Sequence, residues 1–261
     1  MAKDYRGTTA IITGASAGLG AEFATQLAAR GADVVLVARR EDRLRELAGR
    51  LSGAHGVTAT PIELDLAEPG SAAALRAALD ERGIRPQTLV NNAGFGMKGA
   101  FAEADASRVD EMVAVNVAAL VSLTREFLPD LVRDGRGALV NIASTAAYQP
   151  CPNMAVYGAT KAFVLSLTEA LAYETRASGL GVLALSPGAT ATEFFEVVGS
   201  ADAAVGRFQT PDAVVRLALR RLDRMRMPLS VVSGVGNAVN ATLARFIPRR
   251  LAVSVSGRVL R

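Results

Sequence analysis

The chain has 261 residues, half of them hydrophobic and 21% charged, so a largely disordered chain is excluded. The net charge is +4, but the arginines are scattered and tryptophan is absent, so we expect no nucleic-acid partner. A single cysteine, Cys151, and a single histidine, His55, exclude an internal disulfide and indicate no metal site. We expect a reducing, cytoplasmic location, no signal peptide, no membrane span, and a solvated loop at His55.

Strands and helices are predicted to alternate along the chain. Short apolar runs typical of strands lie at 8–13, 33–38, 57–63, 88–90, 138–143, 182–186 and 229–232. Helical patterns lie between them at 19–30, 40–51, 71–82, 107–133, 155–177 and 211–222. Strands without charged faces that alternate with helices are typical of a parallel sheet covered on both sides. The sequence therefore predicts an α/β fold: one domain over 1–261, with a Rossmann-like doubly wound parallel sheet and helices on both faces.

A glycine-rich turn follows the first predicted strand and opens the first helix. It reads TGASAGLG at 13–20. Glycine lets the backbone approach a phosphate closely, and the helix N-terminus beyond it offers free N–H groups. A loop that merely packs on the sheet would show the same glycines. Because the turn follows the first strand of an alternating chain, it indicates a dinucleotide site.

The second predicted strand ends in arginines rather than in an acid. The sequence there is Ala38-Arg39-Arg40. An acid at this point would bind the ribose hydroxyls of NAD, whereas guanidinium groups match the 2′-phosphate of NADP. The alternative is two solvated arginines at a helix start. We therefore predict NADP(H) as the cofactor.

Tyr157 and Lys161 stand four residues apart in a predicted helix and so share one face. The ordinary pKa of a phenol is about 10, and a nearby ammonium favours the phenolate. The pair is therefore a candidate proton donor and acceptor for a reacting oxygen. Ser144 ends an apolar strand and is placed to hydrogen-bond that oxygen. The alternative is a surface helix with an unrelated Tyr and Lys, which is less favoured because the chain has three lysines in all.

Together these residues resemble the short-chain dehydrogenase/reductase family, in its shorter, non-extended branch. The matching segments are TGASAGLG at 13–20, NNAG at 91–94, Asn116, Ser144, YGATK at 157–161 and PGATAT at 187–192. The resemblance implies hydride transfer between NADP(H) and a carbonyl or alcohol, with Tyr157 as general acid and base. It implies that Ser144 holds the substrate oxygen and that Lys161 lowers the pKa of Tyr157. By the same resemblance, Asn116 binds a water that relays protons.

The resemblance also implies where the cofactor and the substrate bind. The implied cofactor-binding residues are Gly14, Ser16, Gly18, Leu19, Gly20, Arg39, Arg40, Asp65, Leu66, Asn92, Ala93, Gly94, Tyr157, Lys161, Pro187, Gly188, Thr190 and Thr192. Ser144 and Tyr157 meet the substrate, and 187–210 is the substrate loop. The aromatics of this loop favour a hydrophobic ketone or aldehyde, such as a 3-oxoacyl or steroid-like carbonyl, unless they only pack a lid. Further candidates for the mouth of the site are Phe95, Met97, Tyr148, Cys151 and Met154.

A helical tail is predicted over 236–261. Apolar residues recur there every four positions, among several arginines. Such a segment can dock on its own body, on a second subunit, or peripherally on an anionic membrane. Pro248 and Gly257 interrupt it, which favours docking on protein. The family resemblance implies a homodimer or homotetramer. One rival function stays open, that of a non-catalytic NADP-binding sensor or scaffold.

Overall fold

Seven apolar segments pair as parallel strands of one sheet. The computed structural model describes residues 3–198, 207–224 and 227–259. Within these residues the sheet has the order β3-β2-β1-β4-β5-β6-β7. The strands are β1 (Thr9–Thr13), β2 (Asp33–Ala38), β3 (Ala59–Glu63), β4 (Thr88–Asn91), β5 (Ala138–Ile142), β6 (Gly181–Ser186) and β7 (Ser230–Val232).

Helices cover both faces of the sheet. They are α1 (Gly18–Ala28), α2 (Glu41–His55), α3 (Ser71–Glu81), α4 (Ala106–Val113), α5 (Leu120–Asp134), α6 (Ala155–Glu174), α7 (Phe194–Val198), α8 (Pro211–Leu222), α9 (Val235–Ala244) and α10 (Arg249–Val259). Side chains alternate across a strand, so Ile12 packs with α1, α2 and α8, whereas Ile11 packs with α3 and α5. The predicted doubly wound α/β fold is confirmed.

The chain order reverses between β1 and β4, which both pair in the centre of the sheet. Ligands of such sheets bind at this switch point, beyond the carboxyl ends of the strands. The glycine turn follows β1, the arginines follow β2 and Ser144 follows β5, so all three lie at this edge. The fold therefore gathers the predicted site residues.

Three predicted elements differ from the structure. The helix expected over 107–133 contains a π-helical turn, Ala114–Ala119, between α4 and α5. The tail forms two helices that are broken before Pro248, which cannot donate a backbone hydrogen bond. His55 ends α2 instead of lying in a loop, and Gly56, at φ 67°, terminates that helix.

One helical stretch in the described part of the chain, Ala106–Asp134, is long and apolar enough by composition to cross a bilayer. Its residues Leu123, Phe127 and Leu131 are buried in the core beneath the sheet. We therefore interpret the stretch as a core helix of the fold.

Candidate active site

A cavity of about 790 Å³ opens at the carboxyl ends of the strands. Loops after six of the strands line it, together with α6 and the two tail helices. The predicted site residues that line it are Gly14, Ser16, Gly18, Leu19, Arg39, Arg40, Asp65, Leu66, Asn92, Ala93, Gly94, Ser144, Tyr157, Lys161, Pro187, Gly188, Thr190 and Thr192. Gly20 and Asn116 are not among its lining residues.

The glycine turn forms a cradle in which Gly14 and Gly18 have little room for a side chain. Gly14 and Gly18 have φ of 64° and 56°, in the left-handed region that favours glycine. A Cβ at Gly14 would lie 2.8 Å from Nδ2 of Asn92. No side chain caps the start of α1, so its first-turn N–H groups are available to a phosphate. These residues fit the pyrophosphate of a dinucleotide.

Gly20 has a packing role behind that cradle, and its expected contact with the cofactor stays a prediction. A Cβ on Gly20 would stand 2.2 Å from the carbonyl oxygen of Gly14 and 2.6 Å from Nδ2 of Asn92. Asn92 in turn donates from Nδ2 to the carbonyl oxygens of Thr13, at 2.9 Å, and Gly14, at 3.3 Å. Gly20 therefore lets α1, β1 and the loop after β4 meet at contact distance.

The end of β2 offers a cationic site beside a hydroxyl. Arg40 donates to Oγ of Ser16 from Nε at 3.1 Å and from Nη2 at 2.9 Å. Arg39 contacts Glu111 at 3.0 Å and Asp65 at 3.6 Å. A guanidinium beside a serine hydroxyl is a suitable donor set for a phosphate. The arrangement fits the 2′-phosphate of NADP(H).

Ser144, Tyr157 and Lys161 meet at the floor of the cavity, and all three are buried. Tyr157 and Lys161 lie one turn apart on α6, and Lys161 Nζ lies 5.9 Å from the Tyr157 ring centroid. Oγ of Ser144 accepts a hydrogen bond from the backbone N–H of Ala146 at 3.1 Å. Because Oγ only accepts in that bond, the Ser144 hydroxyl can donate its proton to a hydrogen bond with the Tyr157 oxygen. The predicted trio is therefore brought together.

Burial, rather than the nearby ammonium of Lys161, dominates the pKa of Tyr157 in this structure. Burial raises the pKa of Tyr157 to about 12, although a hydrogen bond with Ser144 acts in the opposite direction. Burial also lowers the pKa of Lys161 to about 8. Nζ of Lys161 donates to the carbonyl oxygen of Ile142 at 2.8 Å. Removal from water disfavours both charged forms, and this effect outweighs their proximity.

From the lowered pKa of Lys161 we predict how the free energy of unfolding depends on pH. Between its folded value of about 8 and its ordinary value of about 10.5, the unfolded chain binds the extra proton. The contribution of Lys161 to the free energy of unfolding therefore rises with pH across this window. Relative to Lys161→Met, the wild type should gain about 2 kcal/mol between pH 7 and pH 9.5, as measured by urea unfolding. Parallel stabilities of the two proteins across this range would contradict the assignment.

Asn116 lies in the π-helical turn, and both N–H donors of its side chain are used by the protein. Its Oδ1 accepts from the backbone N–H of Phe95 at 3.0 Å. Its Nδ2 donates to the Phe95 carbonyl at 2.9 Å and to Oγ1 of Thr160 at 3.1 Å. Its Oδ1 keeps a second lone pair that can accept from a water, so the expected proton-relay role stays a prediction. Asn116 also ties the loop after β4 to α6, three residues from Tyr157.

Sequence reasoning missed that both tail helices line the cavity. The tail residues at its wall are Asn237, Asn240, Ala241, Leu243, Ala244, Ile247, Ala252, Val255 and Ser256. The four-residue apolar repeat was the available signal, but it could not say which surface the tail covers. Of the further candidates for the mouth of the site, Phe95, Cys151 and Met154 line the cavity, whereas Met97 and Tyr148 do not. Part of the predicted substrate loop, 199–206, lies outside the described residues.

Over the residues that the structure describes, no three His, Cys, Asp or Glu side chains are grouped so as to hold a metal ion. The groups in the cavity that can carry chemistry are the Ser144, Tyr157 and Lys161 trio and the dinucleotide cradle. A buried phenol beside a hydroxyl and an amine suits proton transfer to an oxygen atom.

Comparison with known proteins agrees with this site. Residues 8–203 match the family model described as short chain dehydrogenase. Over 185 residues the chain is 40% identical to a sulfoacetaldehyde reductase of Chromohalobacter salexigens, covering 70% of this chain and 72% of that protein. A short-chain dehydrogenase from Sphingobium yanoikuyae in complex with NADPH is 36% identical, with a TM-score of 0.81 over 92% of this chain and 94% of that one.

A structure of a 7β-hydroxysteroid dehydrogenase extends the similarity to the tail. It is 26% identical, with a TM-score of 0.87 over 98% of this chain and all (100%) of that chain. The sequence match, the parallel sheet and the arrangement of Ser144, Tyr157 and Lys161 agree with one another. The chain is a member of the short-chain dehydrogenase family.

Proposed function

We propose that the protein is an NADPH-dependent reductase of bulky, hydrophobic ketones or aldehydes. The observation that carries the proposal is the apolar wall around the Tyr157 hydroxyl. Phe95, Met154 and Phe194 pack with Tyr157, and the Phe194 ring centroid lies 5.5 Å from that of Tyr157. Apolar surface of this kind gains free energy when an apolar substrate covers it.

The tail helices extend this wall with apolar side chains that are still exposed to water. Leu243, Ile247 and Val255 line the cavity and are 52%, 37% and 50% exposed. An acyl chain or a fused-ring substrate would remove them from water. Their position supports a substrate larger than a two-carbon aldehyde.

The arginines of the cavity do not favour a small anionic substrate. Each of its three arginines contacts a carboxylate: Arg39 contacts Glu111, Arg40 contacts Glu193, and Arg108 contacts Glu111. A sulfonate or carboxylate substrate would have to displace one of these partners. This chain therefore differs in proposed substrate from its relative that is named for sulfoacetaldehyde.

In the proposed reaction, Tyr157 donates its phenolic proton to the substrate oxygen as the carbonyl carbon becomes an alcohol carbon. When bound, the coenzyme supplies the hydride. Ser144 orients the oxygen by a hydrogen bond, and buried Lys161 lies close enough to stabilise the phenolate left on Tyr157. The preference for NADPH is supported by Arg39 and Arg40 and by the NADPH complex of the Sphingobium relative. Reduction is the proposed direction.

The function is tested by following NADPH absorbance with matched ketones: aryl and long-chain ketones against small charged ones. We expect higher kcat/KM for the apolar set. Val255→Glu, which adds a charge to the cavity wall, should raise KM for apolar ketones several-fold with little change in NADPH affinity. Val253→Glu is the control, since Val253 is 41% exposed on the same helix but does not line the cavity. Preference for the charged ketones would reject the substrate class.

We also propose a homodimer or homotetramer in the cytoplasm. Large apolar side chains on the long helices support the assembly: Val113 is 41% exposed on α4, and Phe163 and Tyr173 are 42% and 63% exposed on α6. Exposed apolar side chains on neighbouring helices are suited to a subunit interface. The single cysteine supports a reducing compartment.

A further inference from the structure

An ion-pair cluster bridges the cofactor side of the cavity and the substrate loop. Glu193 precedes α7 and lies between the carboxyl end of β6 and the Phe194 ring. Its Oε2 accepts from Nη1 of Arg40 at 2.9 Å, and its Oε1 accepts from Nη1 of Arg43 at 2.5 Å. Both arginines belong to the β2–α2 junction. Two segments far apart in sequence are thereby joined across the cleft.

Arg40 holds this carboxylate with the same guanidinium that contacts Ser16. Its Nε and Nη2 donate to the Ser16 hydroxyl while Nη1 donates to Glu193. Arg40, Ser16 and Glu193 all line the cavity. Hydrogen bonds from Arg40 and Arg43 hold the pKa of Glu193 below its usual range. Glu193 is thus an anion at neutral pH, seated on the guanidinium that fits the 2′-phosphate.

We propose that Glu193 is an internal competitor for the 2′-phosphate of NADP(H), and so a residue that sets the discrimination between NADP(H) and NAD(H). Carboxylate and phosphate are both acceptors for the same guanidinium fork, and two anions at one cation repel each other. NADP(H) must displace Glu193 from Arg40 for its 2′-phosphate to bind there. NAD(H) has no such phosphate and need not displace it. The proposal rests on the coenzyme preference given above.

The neighbours of Glu193 in the chain connect its ion pair with Arg40 to the substrate side of the cavity. Phe194 adjoins Glu193 in the chain, and its ring packs on Tyr157. Thr192, on the other side of Glu193, lies against the glycine cradle, 3.1 Å from where a Cβ of Gly18 would be. Glu193 therefore links the site that fits the 2′-phosphate to the segment that carries Phe194.

The size of the effect follows from the exposure of the pair. The side chains of Arg40, Arg43 and Glu193 are about two-fifths exposed, as for partly solvated ion pairs. Partly solvated pairs of this kind change an equilibrium constant by up to about fivefold. Glu193→Gln should therefore tighten NADPH binding about two- to fivefold and leave NADH binding unchanged.

The test is calorimetric titration of NADPH and NADH into the wild type, Glu193→Gln, Arg40→Met and the double variant, at low and high salt. The increase in NADPH affinity caused by Glu193→Gln should be smaller at high salt and absent in the Arg40→Met background. Glu126→Gln is the matched control, because Glu126 pairs with Arg76 away from the cavity at 2.9 Å.

Three results would overturn the proposal: weaker NADPH binding by Glu193→Gln, an equal gain for NADPH and NADH, or no change for either. Weaker binding would mean that Glu193 positions Arg40 rather than competes for it. Failure to reduce any ketone while these binding differences hold would reject the proposed function alone.

Discussion

Tyr157→Phe should lower the rate of ketone reduction about 10²–10⁴-fold while NADPH binds with an affinity within about twofold of the wild type. The substitution removes one oxygen atom and leaves the ring that packs on Phe194 in place. The loss therefore reports the missing proton donor rather than a disturbed pocket. NADPH absorbance measures the rate, and calorimetry measures the affinity.

Tyr173→Phe is the control for this experiment. Tyr173 lies on the same helix, α6, and is 63% exposed. Its loss of a hydroxyl should leave the rate unchanged. Unchanged reduction by Tyr157→Phe would reject Tyr157 as the acid. If the wild type binds NADPH but reduces no carbonyl compound, the protein is better described as a sensor or scaffold.

Gly20→Ala should destabilise the fold and weaken coenzyme binding together. The new Cβ would stand 2.2 Å from the Gly14 carbonyl oxygen, and that backbone is held by the hydrogen bonds of Asn92. Overpacking of this kind costs about 1–3 kcal/mol, and movement of the cradle also displaces the N–H groups that face a phosphate. Thermal unfolding and NADPH titration measure the two effects.

Gly49→Ala is the matched control on another helix. Nothing lies within 4 Å of a Cβ at Gly49, which is exposed in α2. Replacing glycine by alanine inside a helix stabilises it by up to about 1 kcal/mol. The two Gly→Ala changes should therefore shift the melting temperature in opposite directions. A Gly20→Ala protein with full stability and full NADPH affinity would show that the cradle can move without cost.

The strands, the helices and the glycine turn were predictable because each depends on a local sequence pattern. Uncharged apolar runs predict buried parallel strands, and the glycine-rich sequence at 13–20 predicts a tight turn after the first strand. The carboxyl-edge location of the site residues follows from topology alone. The partnership of Ser144, Tyr157 and Lys161 followed from spacing and from the family resemblance.

What could not be predicted depends on tertiary burial. The proximity of Lys161 suggests an acidic Tyr157, yet removal from water disfavours both charges, and only the packed structure shows its extent. Asn116 is at a plausible relay position in sequence, but only the structure shows that its side chain also binds Phe95 and Thr160. Likewise, the pairing of Arg40 with Glu193 joins residues 153 positions apart, which no local pattern reveals.

The placement of α9 and α10 separates two tasks along the chain. The proposed proton donor, Tyr157, lies on α6, whereas nine of the residues that line the cavity come from 237–256. A protein organised in this way can acquire a new preference by exchanging one contiguous stretch, without touching the residues that carry out the reaction. Exchange of residues 237–256 between relatives should then transfer substrate selectivity.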